Sequence, residues 1–328
     1  MFKSLPSEIL TEKEFNEQAI ALFKHQAKHV PIYRDFIQQL NRTGLIKTIE
    51  DVCEIPFLPI SFFKSHEVIP TDLKVEAVFE SSGTTGDITS KHFVHDLNVY
   101  HQAHRIGFQG AYGNIEDYTV LALLPSYLER SGSSLVMMVD DMIKRSSKKE
   151  SGFYLHNLEE LRGKLMLLNK GNEKVLLIGV SYALLDLIDL GSLQLSNTIV
   201  METGGMKGKR KELVKEELHQ ILQEGFGVNA IHSEYGMTEL LSQAYSKGDG
   251  LFGVSPTMQV FIRDVNDPFT ILPNGYSGGI NVIDLANTYS CAFIATQDLG
   301  KKLNESAFQV LGRFDHSDVR GCNLMVGD

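Results

Sequence analysis

Apolar residues recur at mixed three- and four-residue spacings between Ser7 and Leu40, at Ile9, Phe15, Ala19, Leu22, Phe23 and Val30, with charged residues between them. That period puts them on one stripe of a helix, so the opening reads as one or two amphipathic helices acting as scaffold. From Ile55 to Ile69 the pattern breaks. Pro56 and Pro59 alternate with Phe57, Phe62 and Phe63, and a chain so punctuated cannot continue as helix, so it reads as a packed loop. Between residues 78 and 240 short apolar runs, Gly/Ser bends and helical patterns alternate, the mark of an α/β fold. Three units stand out. A strand from Tyr118 to Leu124 ends at Pro125 before Arg130-Ser-Gly-Ser-Ser134. A second, Val175 to Ile178, passes through Gly179 and Ser181 into an apolar helix, Tyr182 to Leu190. A third, Thr198 to Met201, passes through Gly204-Gly205 into a charged helix from about Lys209 to Gln223.

Beyond Ser255 the texture changes to short alternating strands with turns expected at Asn274-Gly275 and Gly278-Gly279, a smaller β-rich unit. The pattern thus divides the chain into an N-terminal helical segment (1–54), an α/β core (55–254) and a β-rich subdomain (255–328). Composition narrows the function classes. Lys and Arg number 31 against 41 Asp and Glu, a formal charge of −10, which argues against a broad nucleic-acid face. The three cysteines, Cys53, Cys291 and Cys322, form no CxxC pair, so neither a disulfide framework nor a zinc knuckle is expected. Cys53 and Cys291 lie in apolar runs and read as buried small hydrophobes. The opening has no apolar signal region and no stretch is long enough to span a membrane, so the expected location is a reducing cytoplasm.

Two segments carry candidate chemistry. Ser81-Ser-Gly-Thr-Thr-Gly86 has no apolar side chain and directly follows the Val78-Phe79 strand. Successive small residues let backbone N–H groups converge, and four hydroxyls add donors, so the loop can wrap a phosphate chain; Lys91 adds a cation. A solvated turn is the plainer alternative, and the loop is not a Walker A motif. In Ser233-Glu-Tyr-Gly-Met-Thr-Glu239 an aromatic, a hydroxyl and carboxylates surround a flexible Gly236. A carboxylate such as Glu239 suits Mg²⁺, although a core aromatic and a surface charge would look the same.

Taken together and in this order, the segments resemble the phosphate loop and the adenine/Mg²⁺ motif of the adenylate-forming superfamily of acyl and aryl CoA ligases. Glu202-Thr-Gly-Gly205 is similar to the family's Gly-rich turn beside adenine, Thr296-Gln-Asp-Leu-Gly300 to its TGDLG segment, and Gly312-Arg-Phe-Asp315 to its hinge. The resemblance covers roughly residues 55 to 322. It departs at Gln297, where the family has Gly, and at Lys91, displaced by two positions from the family's lysine. It implies a large domain of mixed sheets flanked by helices plus a small β-rich subdomain, and ATP with Mg²⁺ as the reaction's needs. The roles implied are Ser81, Ser82, Gly83, Thr84, Thr85, Gly86 and Lys91 on phosphates, Gly204, Gly205, Tyr235 and Gly236 at adenine, and Asp298 on the ribose. Thr238 and Arg313 would meet the α-phosphate, and Glu239 the metal.

Thirteen residues follow Asp315, so the resemblance also implies a build without the family's mobile C-terminal lid. Such a build resembles the acyl-protein synthetases of bacterial bioluminescence operons, whose final segment carries an acyl-accepting cysteine after a glycine; Arg320-Gly-Cys-Asn-Leu324 matches. Cys322 would then take the acyl group as a thioester, since a thiolate attacks an acyl adenylate readily, and would pass it to a partner such as an acyl-CoA reductase or an acyl carrier protein. The expected substrate is a carboxylic acid, a fatty acid by resemblance, with a pocket placed near Tyr127, Phe252 and Met258. The alternatives are an acyl or aryl CoA ligase like phenylacetate-CoA ligase, with CoA as acceptor, or a non-catalytic nucleotide- or carrier-binding homologue.

Three rival constellations stand beside this reading. Gly179-Val-Ser-Tyr-Ala183 is close to a GxSxG nucleophile elbow, with Ser181 as nucleophile and His219 or His232 as base, but a helix N-cap is the simpler role for Ser181. His92 with His95, or His101 with His104, would share a helix face yet show no third ligand in the sequence, so no catalytic metal site is expected. Lys207-Gly-Lys-Arg-Lys211 reads as a solvated helix start, with a carrier-protein contact as the lesser option.

Overall fold

A computed structural model describes residues 5–81, 88–125, 132–204, 209–211 and 213–314. The expected opening helices are α1 (Glu12–His29) and α2 (Pro31–Gln39). Thr11 and Glu14 form a reciprocal capping box at the start of α1, and Pro31 at the first turn of α2 supplies a preset φ where no N–H is needed. Phe15, Ala19, Leu22 and Phe23 form the buried stripe of α1. Gln26, fully buried on the same helix, donates to the carbonyl of Asn287 (2.6 Å) and accepts from the amide of Ala292 (2.9 Å). A buried amide with both ends satisfied fixes this helical segment to the far end of the chain.

After α3 (Leu45–Thr48), the Pro/Phe connector is more structured than a loop. It holds β1 (Leu58–Pro59), paired in parallel with residues 294–295, and α4 (Phe62–Ser65). The prolines stop a long helix but leave room for a two-residue bridge and a single turn. The antiparallel pair β2 (Ala77–Glu80) and β3 (Lys91–Val94) follows, then α5 (Leu97–Tyr112), β4 (Tyr118–Leu123), α6 (Ser134–Ser146), β5 (Gly152–Phe153) and α7 (Leu158–Leu168). The α/β repeat continues through β6 (Lys174–Gly179), α8 (Ser181–Asp189), β7 (Thr198–Glu202), α9 (Lys215–Phe226) and β8 (His232–Tyr235). The chain then runs through β9 (Ala244–Ser246), β10 (Leu251–Val254), β11 (Met258–Arg263), β12 (Ser277–Asp284), β13 (Phe293–Asn304) and β14 (Ala307–Arg313).

One sheet of twelve strands joins these elements in the order β11-β12-β13-β14-β10-β9-β8-β7-β6-β4-β5, with β1 alongside β13. From β5 to β8 neighbours are parallel, and from β8 to β11 they are antiparallel. The parallel strands β4 and β6 are buried almost throughout and read as near-continuous Val, Ile and Leu. Along β13 burial alternates residue by residue, as a half-exposed strand requires. Two apolar clusters result. One, around Val120, Leu177 and Val200, packs under α5 to α9; the other, around Phe23, Tyr33 and Phe293, joins α1 and α2 to β11 through β14.

Three local expectations need correction. The charged helix begins at Lys215, not Lys209. Glu216 and Glu217 stand in its first turn, where the helix dipole favours acids, whereas Lys209 to Lys211 would oppose it. Of that basic run Arg210 binds Asp186 and Asp189 of α8 ahead of the helix, while Lys207 lies outside the described residues. Asn274-Gly275 makes a turn, with Gly275 at φ +91°, but Gly278-Gly279 lies inside β12. There a Cβ at 278 would meet the Arg263 carbonyl at 2.2 Å and one at 279 the Arg263 guanidinium carbon at 2.5 Å, so close packing rather than a bend demands glycine. Cys291 is buried as expected, but Cys53 is exposed, on a single 3₁₀ turn. Among the described residues no helix is long and apolar enough to cross a membrane.

Candidate active site

The carboxyl ends of the adjacent strands β6, β7 and β8 open onto a cleft of about 330 Å³, the position where open α/β sheets hold their ligands. Its floor is built from the turns that follow these strands: Ser181 after β6, Glu202-Thr203-Gly204 after β7, and Glu234-Tyr235-Gly236 at the end of β8. Gly204 takes φ +77°, open to glycine, and its amide donates to Glu202 Oε2 at 2.7 Å. Thr203 contributes a buried hydroxyl with no hydrogen-bond partner among the described residues.

Two buried carboxylates on this floor are driven apart in acidity. Burial raises Glu202, but His219, Lys215, Ser233 and the Gly204 amide outweigh it and hold the carboxyl at about 2. The Lys215 ammonium is 3.3 Å away and His219 Nε2 3.6 Å. Glu234 has no such company among the described residues: burial, then the charge of Glu202, pushes it up to about 8. Near neutrality the floor therefore pairs an anion with a neutral carboxylic acid. Lys215 also stands 4.5 Å over the ring of Phe252, which joins floor to wall.

The wall comes from β10, β13 and β14. Asp298 and Arg313 are direct cross-strand partners, and Arg313 Nε lies 3.3 Å from Asp298 Oδ1. Tyr235 donates its hydroxyl to the other oxygen of Asp298 at 2.9 Å, and its ring packs edge-on against Phe252 and Phe308. Arg313 is largely exposed, free to swing toward a ligand, while Asp298 is 8% exposed. Behind them Arg263 donates to the carbonyls of Ile280 and Thr296 and to Asn281 Oδ1, at 2.6–2.7 Å, and lies over the ring of Phe314.

The structure also shows where the phosphate-loop candidate is rooted. The Ser81 amide donates to the Ser90 carbonyl at 3.0 Å, and the Ser90 amide returns to Ser81 Oγ at 2.9 Å. Burial raises the nearby Glu239 carboxyl against the opposing influence of Ser90, and His92 Nδ1 donates to the Thr238 carbonyl at 2.9 Å. The base of the loop and the Thr238-Glu239 turn are thus fastened together although far apart in sequence. Thr238 and Glu239 stand beside this base rather than among the residues lining the cleft, and Lys91 is exposed with Glu80 3.4 Å away. Ser82, Gly83, Thr84, Thr85, Gly86, Gly205, Tyr127 and Cys322 lie outside the described residues. Of the pocket residues expected from position, Phe252 lines the cleft and Met258 is buried away from it in β11.

Sequence reasoning does not single out Lys215, Glu234 or Arg263, and it reaches His219 only as a base in the rival hydrolase reading, not as a partner of Glu202. Glu234 sits inside a quoted motif, so its place before Tyr235 is the available signal; the others are brought in only by tertiary packing. The rival readings lose their geometry. Ser181 is the first residue of α8, with Val180 as N-cap, and is absent from the described non-glycine residues of positive φ, so no strained nucleophile elbow exists. His232 is engaged with Tyr112 at 3.0 Å and His219 faces Glu202. His92 and His95 lie on and just after a strand rather than on a helix; His101 and His104 do share a face of α5.

No family model matches the chain. It is 26% identical over 321 positions, covering 89% of this chain and 82% of the relative, to the long-chain-fatty-acid–luciferin-component ligase of Vibrio harveyi. Among solved structures it resembles 2-hydroxyisobutyryl-CoA ligase in the postadenylation state with 2-HIB-AMP, with a TM-score of 0.67 at 12% identity over 94% of this chain and 70% of that one. It also resembles ATP-bound MatB from Rhodopseudomonas palustris, with a TM-score of 0.54 at 17% identity over 73% of this chain. The chain spans about half, 48%, of that second structure. The α/β architecture is therefore the one that adenylate-forming ligases adopt, as the motifs lead one to expect.

Proposed function

We propose that this chain activates a carboxylic acid with ATP, giving an acyl adenylate and pyrophosphate, and then delivers the acyl group to a thiol. The observation that carries the reading is the meeting of the two motifs: the base of the Ser81–Gly86 loop is bonded to the Thr238-Glu239 turn, two residues beyond a cleft walled by Tyr235, Asp298 and Arg313. The donor set fits a nucleotide. Each Asp298 oxygen accepts one bond from the protein and keeps a lone pair for a ribose hydroxyl, and Tyr235, held through its hydroxyl, offers a purine its ring. Gly204 and Gly236 line the cleft where the base would sit, with Gly205 assigned to it by the motif alone, and the Thr203 hydroxyl, without a partner among the described residues, awaits a polar edge.

In this reading Ser81 through Gly86 and Lys91 hold the β and γ phosphates, and Thr238 with Arg313 meets the charge that develops at the α-phosphate. A carboxylate oxygen of the acid attacks that phosphorus while the bond to pyrophosphate breaks. Glu239, a buried carboxyl beside the base of the loop, fits a magnesium ligand. The ion, when bound, neutralises triphosphate charge. The thiol then attacks the acyl carbonyl and AMP leaves. A long-chain fatty acid is the substrate favoured by the Vibrio harveyi relative's name, and Cys322 is the acceptor favoured by its position after Gly321. Acceptance of the acyl group by an acyl-CoA reductase or carrier protein would follow. CoA as acceptor is the second reading, favoured by the likeness to CoA ligases.

Intact-mass spectrometry after incubation with ATP, Mg²⁺ and a panel of fatty and aromatic acids separates these outcomes. An ATP-dependent, hydroxylamine-labile acyl adduct that vanishes in Cys322→Ser supports the protein-thioester reading and identifies the acid. Acid-dependent pyrophosphate release with acyl-CoA formed instead supports the second. Nucleotide binding with neither product rejects both.

A further inference from the structure

His101 and His104 stand three residues apart on α5, and the fold brings Asp141 of α6 against them. His101 Nδ1 is 3.2 Å from His104 Nε2, while Asp141 Oδ1 lies 3.9 Å from the first and Asp141 Oδ2 3.6 Å from the second, and one ligand atom from each of the three residues lies within 4.8 Å of the other two. We propose that these three side chains form a binding site for a divalent ion of the zinc type, separate from the nucleotide cleft. With bonds of about 2.0–2.1 Å to nitrogen and oxygen, tetrahedral geometry requires ligand atoms roughly 3.3–3.4 Å apart. The imidazole nitrogens already stand at that spacing, and the carboxylate side is wider, within 4.8 Å, so Asp141 turns to bring one oxygen toward both rings when the ion binds. Two imidazoles and one carboxylate are the ligand set that suits zinc or cobalt rather than magnesium or calcium.

A recess of about 20 Å³, lined in part by His104, Arg105 and Asp141, adjoins the cluster and has room for about one water as a fourth ligand. Arg105 grips Asp141 through Nε at 2.9 Å and a second nitrogen. A carboxylate has about four lone-pair positions, so the guanidinium orients Asp141 and leaves one position on each oxygen for the ion. Its positive charge opposes the ion, and His104 loaded through Nε2 must carry its proton on Nδ1, an atom buried without a partner among the described residues. Both effects set a modest affinity. The two neutral rings now share one hydrogen between them; binding moves it to the far nitrogen of its own ring, with no net proton release.

The test is titration of untagged, metal-stripped protein with Co²⁺ and Zn²⁺, followed by calorimetry and by the visible spectrum of cobalt. The site predicts one ion per chain with the intense absorption of tetrahedral cobalt, displaced by zinc. It further predicts a loss of roughly tenfold or more in affinity for His101→Ala and for Asp141→Asn. Arg105→Gln, which removes the opposing charge, tightens binding if the ion sits on Asp141. His101 is part-exposed, so its alanine variant keeps the fold, and an unchanged melting curve without metal confirms that. Absence of stoichiometric binding, or binding equal in wild type and His101→Ala, overturns the proposal and leaves the cluster an ion pair beside a hydrogen-bonded histidine pair.

Discussion

The parallel and antiparallel halves of the sheet make unequal contributions to the cleft. The parallel half supplies backbone turns at the ends of β6, β7 and β8, with glycine where the chain bends and two carboxylates of opposed acidity. The antiparallel half supplies side chains carried along its strands: Phe252 of β10, and Asp298 with Arg313, which the register between β13 and β14 sets opposite each other. A floor made at strand ends follows from the βα alternation itself. A wall made inside strands depends on which residue faces which, and one slip in register would turn Asp298 away. The floor is thus a property of the architecture, and the wall a property of this particular pairing.

Breaking the core beneath the wall should have the largest effect. Phe293 is fully buried and its ring meets those of Phe23, Tyr33 and Phe57, so Phe293→Ala should destabilise by about 3–5 kcal/mol in urea unfolding. A value near that of a surface substitution would mean that the aromatic cluster does not hold the antiparallel half. Breaking the wall's chemistry comes next. Asp298→Asn keeps the shape but weakens two bonds to the carboxylate, and ATP–pyrophosphate exchange should fall roughly 10- to 100-fold with little change in melting temperature.

The floor can be probed through pH. Glu234 lies above its ordinary 4.5, at about 8, so the folded state retains a proton across that window and stability falls as pH rises through it. Glu202, held at about 2, contributes stability that is present above 4.5 and lost as pH falls toward 2. Glu234→Gln should therefore flatten the alkaline limb and leave the acid limb intact, read from urea midpoints across pH. A steep alkaline limb surviving in the variant assigns the titration elsewhere. The smallest effect is expected at a surface ion pair outside the cleft lining. Arg210 pairs with Asp186 and Asp189 at the surface, and Arg210→Ala should change stability by about 0.5 kcal/mol or less.

The helical opening, the three strand–helix units and the residues Tyr235, Asp298 and Arg313 are legible in the amino-acid sequence because each depends on local period or on a short motif. Asp298 and Arg313 belong to neighbouring strands of one hairpin, so their pairing spans little chain. What the sequence hides lies in long-range packing. Lys215 at the start of α9 reaches Glu202 at the end of β7, and His92 reaches the Thr238 carbonyl across the fold. Asp141 joins His101 and His104 only once α6 packs beside α5. Gly278 and Gly279 mislead because glycine serves close approach as well as turns; the identity of Arg263 as the neighbour settles which.

The central claim is that one cleft, floored by parallel turns and walled by antiparallel strands, forms an acyl adenylate. The most direct test is isotope exchange between ATP and pyrophosphate, measured with each acid of a chain-length series in wild type and Asp298→Asn. Exchange that requires a particular acid and drops in the variant at unchanged folded stability is the result the account predicts. Exchange with no acid at all, despite bound ATP, or exchange indifferent to Asp298, would contradict it.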